Sequence, residues 1–352
     1  MLSFVIPTHD RHGPLAETLE RLGQLDALAV GGEAELIVID NNSTRPVEAP
    51  RCLANGLSVE LIRLDHNAGA AARNVGAAAA KHRWIVMLDD DSSPEACGLA
   101  SALDATPPEV AAVGGEILLP SGDRESGGLP EVVIGCGCAI RRDVFLAVGG
   151  YDPSFDYYVE EYDLCARLIR AGHRVAHTRS IRFEHRKVIG GRSFDRIVHR
   201  LVRNNGWTIA RYAPDALRDR AMRAMIARYR EIAQREGAER GFESGRDELE
   251  RTLHAQPRRT MTDSAWDRFI GAAAARCGLR NASSSNAVRI VDEGKGADVI
   301  RSILQQWEVG VHRDARVAVI GTLSPGPMLD SWERHSGGAL AAWSLESLPC
   351  AA

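Results

Sequence analysis

The feature that most constrains this chain is an alternation, over about its first 212 residues, of short β-branched runs with amphipathic segments. That alternation is the pattern of an α/β fold built on a mostly parallel sheet. Residues 3–7 read as a first strand, and Leu15, Leu19, Leu22 and Leu25 follow at helical spacing behind Pro14, a residue suited to a first turn. Residues 36–39, 59–64 and 85–88 read as three further strands, with an alanine-rich helix over 70–80. Every strand but the third runs into polar residues: Thr8, His9, Asp10 and Arg11; Asp40, Asn41, Asn42 and Ser43; Asp89, Asp90 and Asp91. Ligands of open α/β sheets bind beyond the carboxyl ends of the strands, so these clusters are expected to converge.

Downstream, residues 110–119 and 132–140 read as strands separated by a glycine-rich loop over 121–130, a lid or a solvated connection. Residues 160–171 read as a helix closed by Gly172, and 193–212 and 215–239 as arginine-rich helices. The remainder differs in pattern, with a polar linker over 281–286 and one more strand over 317–320. The expected organisation is therefore a unit over 1–212, a helical extension over 213–242, and a region over 243–352 with no assignable chemistry.

Charge narrows the function classes. A formal net charge of −4 in 352 residues argues against a nucleic-acid partner. Only Lys81, Lys187 and Lys295 are lysine among 43 basic residues, which reads as coding bias. The seven cysteines, Cys52, Cys97, Cys136, Cys138, Cys165, Cys277 and Cys350, show no zinc spacing and are expected as free thiols. No apolar run approaches the ~20 residues needed to cross a bilayer, and the first strand begins at once without a basic leader, so a soluble cytoplasmic protein is expected.

Three adjacent carboxylates after an apolar strand are costly unless a cation neutralises them, and a divalent ion on a diphosphate suits that task. An acidic N-cap for the next element would account for Asp91 equally well.

Five segments carry a resemblance when taken in order: residues 3–11, 38–43, 67–69 with 72–76, 85–91 and 160–168. Together they resemble the family 2 glycosyltransferases, nucleotide-sugar enzymes of the GT-A fold, over about residues 2–212. The resemblance implies a mixed, mostly parallel Rossmann-like sheet flanked by helices, a helical extension and a small α/β tail. It implies that Pro7, Thr8, Asp10 and Arg11 wall the nucleotide pocket, that Asp40 accepts from the base, and that Asn42, Asn67, Gly69 and Arg73 line the same pocket. Asp89 and Asp90 would contact ribose and nucleotide, while Asp91 and His185 would hold Mg2+ or Mn2+. Glu161 stands where the family's catalytic base stands, commonly an aspartate; its longer arm leaves Glu160 and Asp163 open as alternatives. Cys136 and Cys138 would be small packing residues on an acceptor-side strand, and Arg203 with Asn204 would position the pyrophosphate or close the pocket. Arg186 and Lys187 could hold the pyrophosphate by charge.

The expectation is an inverting transferase using a nucleoside diphosphate sugar, UDP favoured, and a small-molecule or saccharide acceptor, with homo-oligomer formation left open. A nucleotidyltransferase would need a glycine-rich, lysine-bearing loop after the first strand, and a dehydrogenase a GxGxxG there; neither is present. A non-catalytic partner subunit that binds a nucleotide sugar remains the alternative.

Overall fold

A computed structural model of the chain describes residues 2–26, 34–95, 98–187, 193–335 and 338–344. Cys97 and Cys350 lie outside them. The order is β1 (Leu2–Thr8), α1 (His12–Gly23), β2 (Glu35–Asp40), β3 (Ser58–Arg63), α2 (Ala72–Ala79), β4 (Trp84–Met87), β5 (Ser92–Pro94), α3 (Leu99–Asp104), β6 (Val110–Leu118), β7 (Cys138–Arg141), α4 (Arg142–Ala147), α5 (Glu160–Arg170) and β8 (Arg174–His185). Then follow α6 (Phe194–Tyr212), α7 (Asp215–Glu236), α8 (Glu239–Thr252), α9 (Asp263–Phe269), α10 (Ala272–Gly278), β9 (Ala287–Val291), α11 (Ala297–Gln306), β10 (Gly310–Val311), β11 (Val317–Ile320), α12 (Pro325–Arg334) and β12 (Ala339–Leu340).

The first eight strands form one mixed sheet in the order β3-β2-β1-β4-β7-β6-β8-β5. Strands β1 to β4 pair in parallel; β1, β2 and β4 are continuous buried runs, as strands covered on both faces must be, while β3 is a largely exposed edge strand. The antiparallel β7 then joins β4 and β6. Leu15, Leu19 and Leu22 of α1 are buried against Leu36, Val38 and Val86, while Ala72 and Ala77 of α2 cover Val5 and Ile39 on the other face. Each buried leucine contributes roughly 1.5–3 kcal/mol.

Two expectations change at this level. The strand expected over 132–140 contracts to β7, because residues 132–137 turn around Gly135 and Gly137 and leave Cys136 in a loop. The twelve-residue β8 had no strand-like signal, since its buried and half-exposed positions carry His177, Arg182 and His185 among apolar residues.

Helices α6 to α8 stack as a separate helical layer around Trp207, Met225, Tyr229 and Phe242. Beyond it, β10-β9-β11-β12 form a second, wholly parallel sheet. Its core is continuous with that of the large sheet: Trp266, Phe269, Leu323 and Met328 belong to one apolar cluster with Leu129, Val132 and Leu164. Among the described residues, no helix is long and apolar enough to cross a membrane.

Candidate active site

The carboxyl ends of β1, β2 and β4 converge as their parallel pairing demands. Arg11 leaves β1 and reaches the loop after β4, where its Nε donates to Asp90 Oδ1 at 2.8 Å and its Nη2 to Asp91 Oδ2 at 2.5 Å. Thr8 Oγ1 donates to Asp90 Oδ2 at 2.8 Å, and Thr18 of α1 holds the Asp90 carbonyl at 2.7 Å. Burial pushes the Asp90 carboxyl up to about 6, against the pull of Arg11. Arg73, buried on α2, bonds Asp89 through Nη2 and donates to the Leu88 carbonyl at 3.2 Å. The counter-charge that three carboxylates need thus comes in part from within the chain.

On the far side of this loop, β8 delivers His185. Its Nε2 stands 3.4 Å from Asp91 Oδ1, and its Nδ1 stands 3.6 Å from Cys136 Sγ and 2.8 Å from Glu125 Oε2. Among the described residues, Asp89, Cys136 and His185 offer donor atoms all within 4.8 Å of one another. An oxygen and an imidazole nitrogen suit Mn2+ well, and Mg2+ less so. Burial holds the Cys136 thiol up at about 11, so it stays protonated and a poor partner for a hard ion. The tightest donor set therefore includes Asp89, which sequence reasoning gave to the ribose, while Asp91 lies beside His185 and is tied to Arg11. Cys136 borders this cluster from a loop rather than a strand, and also packs in the apolar core as expected. Arg186 and Lys187 are committed elsewhere: Arg186 to Thr18 and Glu17, Lys187 Nζ to Glu125 at 3.0 Å.

The base-side residues build the remaining wall through local turns. The Asp40 carboxylate accepts from the N–H of Ser43 at 2.8 Å and of Val47 at 3.2 Å, with Arg63 at 3.2 Å, so in this arrangement it anchors the turn after β2. Asp10 accepts from the Thr44 N–H at 2.7 Å and its hydroxyl at 3.0 Å, and Asn42 takes a left-handed backbone at φ 63°. Asn67 Oδ1 accepts from the Gly69 N–H at 2.9 Å, and Asn41, which sequence reasoning passed over, bridges this loop through the Gly69 carbonyl and the Ala68 N–H. Gly69, at φ 59°, admits the Asp156 segment, since a Cβ there would stand 2.6 Å from the Asp156 carbonyl oxygen. Its smallness serves that approach. Pro7 is buried within β1.

The acidic start of α5 faces the same cleft. Glu161 Oε1 accepts from the Gly135 N–H at 3.0 Å. Glu160 is buried, and among the described residues its Oε2 has no hydrogen-bond partner; the same is true of Arg73 Nε and Tyr151 Oη. Burial raises both carboxyls, and the Glu161 charge pushes Glu160 further up; Arg73 opposes both shifts, and the Gly135 N–H favours charge on Glu161. Asp163 is different. It is fully buried, and its oxygens are taken by Arg167 at 2.8 Å, Arg211 at 3.0 Å and Tyr212 Oη at 2.6 Å, which makes it a structural tie to α6 and not an alternative base.

The segment before α5 is strained. Asp156, Tyr158 and Val159 have φ of 61°, 69° and 72°, costly for residues with a Cβ. Asn204 holds it: buried on α6, its Nδ2 donates to the carbonyls of Phe155, Tyr157 and Tyr158 at 3.0, 3.0 and 2.7 Å. Arg203 supports Asn204 Oδ1 at 2.8 Å. The pair fixes a loop rather than reaching toward a pyrophosphate.

Residues 3–117 match the Glycosyl transferase family 2 model. A pre-mycofactocin glycosyltransferase of Mycobacterium tuberculosis is 31% identical over 164 residues, covering 40% of this chain and 35% of that protein. An uncharacterized glycosyltransferase of Haemophilus influenzae is 27% identical over 200 residues, covering 48% of this chain and 62% of that one. The chain thus spans about a third of the first relative and under two thirds of the second. Among solved structures, GalNAc-T7 with UDP, GalNAc and Mn2+ aligns with a TM-score of 0.48 and 17% identity over 60% of this chain and 48% of that one. The ordered motifs, the matched segment and the named relatives agree: residues 3–117, the segment that begins at β1, are similar to glycosyltransferase family 2.

Proposed function

We propose that the protein transfers a sugar from a nucleoside diphosphate sugar, UDP favoured, to an acceptor hydroxyl on a small molecule or saccharide, with inversion and with a divalent metal. The observation that carries this reading is the shared cleft of two unlike carboxylate sets. One is the Asp89, Asp91 and His185 group at the strand ends, and the other is the Glu160 and Glu161 pair at the start of α5, within electrostatic reach of Asp89 and Arg73. The buried, unpartnered atoms of Arg73, Glu160 and Tyr151 add donors and acceptors that a ligand would satisfy.

When bound, Mn2+ or Mg2+ would supply Lewis-acid stabilisation to a departing diphosphate. Asp89 and His185 would hold it, with Asp91 beside them. Arg73 holds Asp89 in place. Glu161, aligned by the Gly135 N–H, takes the proton of the acceptor hydroxyl, while the Glu160 carboxyl, pushed up by burial and by Glu161, resists ionising beside it. The direct displacement needs no enzyme nucleophile. The relatives' names support transfer of a sugar; the names leave the acceptor open.

The rival, a subunit that binds the nucleotide sugar without turnover, draws on Arg11, which already neutralises Asp90 and Asp91. Incubation with a panel of UDP-sugars and Mn2+ decides between them. Release of UDP, slow without acceptor and lost in Glu161→Gln, supports the transferase; binding of UDP with no release from any donor would support the rival.

A further inference from the structure

Loop 121–130 reads in sequence as a lid or a solvated connection, yet Glu125 near its centre is buried and the residues on either side of it are tied to the C-terminal unit. Arg124 points to the C-terminal unit: its backbone N–H and Nη1 bond Asp330 at 3.2 and 2.7 Å, and its Nη1 and Nη2 bond Glu333 at 2.9 and 2.7 Å, all on α12. Ser324, just before α12, accepts from the Gly127 N–H at 3.0 Å and donates to the Gly127 carbonyl. Between them the backbone lies against α12 so closely that a Cβ on Gly326 would stand 2.4 Å from the Glu125 carbonyl oxygen.

Glu125 sits between these two fixed points. It is 7% exposed, and its carboxylate turns the opposite way, to His185 Nδ1 at 2.8 Å and Lys187 Nζ at 3.0 Å. A carboxylate on one imidazole nitrogen orients the ring and leaves the other nitrogen free for a ligand, the arrangement seen around metal-bound histidines. Here the other nitrogen is Nε2, which faces Asp91.

From this continuous path we infer that the C-terminal unit completes the metal site from outside it: α12 clamps loop 121–130, and the loop holds Glu125 as the positioning residue that aims His185 Nε2 at the acidic loop. The inference rests on the metal reading proposed above. It gives the C-terminal region a role, since the site's histidine is held by a residue that the tail holds.

Mn2+ affinity in the presence of UDP, read by electron paramagnetic resonance, tests it, with UDP affinity without metal as the control. Glu125→Gln keeps the side chain's shape and should weaken Mn2+ binding by about 10- to 100-fold. The Asp330→Asn, Glu333→Gln pair, which touches neither His185 nor the acidic loop, should weaken it in the same direction by less. Metal-free UDP affinity should be unchanged in both. Wild-type Mn2+ affinity in either variant overturns the inference. Should the pair fail to fold by circular dichroism, Ser324→Ala takes its place, removing only the Gly127 tie. A wild-type protein that binds no Mn2+ would sink the metal reading instead. The ring-nitrogen NMR signals of His185 then decide: a shift in both variants supports the positioning role, and unchanged signals overturn it.

Discussion

Glu161 and Asp163 are two residues apart on one helix and do opposite work. Glu161→Gln is expected to abolish turnover with donor affinity kept, because the amide preserves the contact geometry and removes the base. Its raised carboxyl also sets a sign: the rate falls as pH drops through a value above the usual carboxylate range, which a kcat–pH profile would read. Asp163→Asn should instead unfold the protein early, by about 3 kcal/mol in denaturant titration, because it leaves Arg167 buried without its anion and Arg211 with Asp152 alone. His177 carries a second pH dependence. Burial lowers its pKa from 6.5 to about 4, so the unfolded chain takes up the proton first. Stability is then lost as pH falls from 6.5 to 4, on the order of 3 kcal/mol, and His177→Gln should flatten that part of the curve. At this scale sequence singled out the acidic positions at the start of α5, yet it could not separate Glu161 from Asp163. The difference lies in Tyr212 and Arg211, about 50 positions away, and no local pattern contains them. Glu125 was invisible for the same reason: an isolated glutamate in a glycine-rich loop has no periodicity, and its partners His185 and Lys187 are 60 and 62 residues downstream.

At the scale of elements, the parallel strands β1, β2 and β4 were legible because a strand covered on both faces must be a continuous apolar run, and each ends in polar residues where the run stops. The strand β8 was not, since a strand at the sheet's far side carries His185 of the site and His177, Arg179 and Arg182 in place of an apolar run. The turn from 155 to 159 was equally hidden. Its three left-handed residues are not glycine, so only the surrounding structure holds them, and Asn204 is the main holder. Asn204→Ala should cost about 1–3 kcal/mol for the unpaired carbonyls and lower kcat more than donor affinity. Hydrogen exchange over 155–159 reads the first effect directly; unchanged exchange there would contradict the role.

For the whole molecule, the C-terminal unit is packed on the large sheet and shares its core. Met261, Trp266, Phe269 and Leu323 bury against residues of loop 121–134 and α5, and Arg268 pairs with Glu131 at 2.5 Å. A chain cut after α8 should therefore lose cooperative unfolding, and limited proteolysis of the native protein should release no stable fragment ending between 243 and 285. The polar segment over 281–286, expected as a linker, largely forms a short helical turn over Arg280–Ser284 with Ala282 buried. Composition misleads there because the segment's one apolar contact decides its state. The central claim, that the strand ends bind a nucleoside diphosphate with a metal, is tested most directly by thermal unfolding with UDP, dTDP, GDP and ADP, each with and without Mn2+. A ligand bound only by the native state at 100 times its Kd adds about 2.7 kcal/mol. The predicted result is stabilisation by one nucleotide, UDP foremost, that is larger with Mn2+ and disappears in both Asp89→Ala and Asp91→Ala. No stabilisation by any nucleotide, or stabilisation that survives both substitutions, would contradict it.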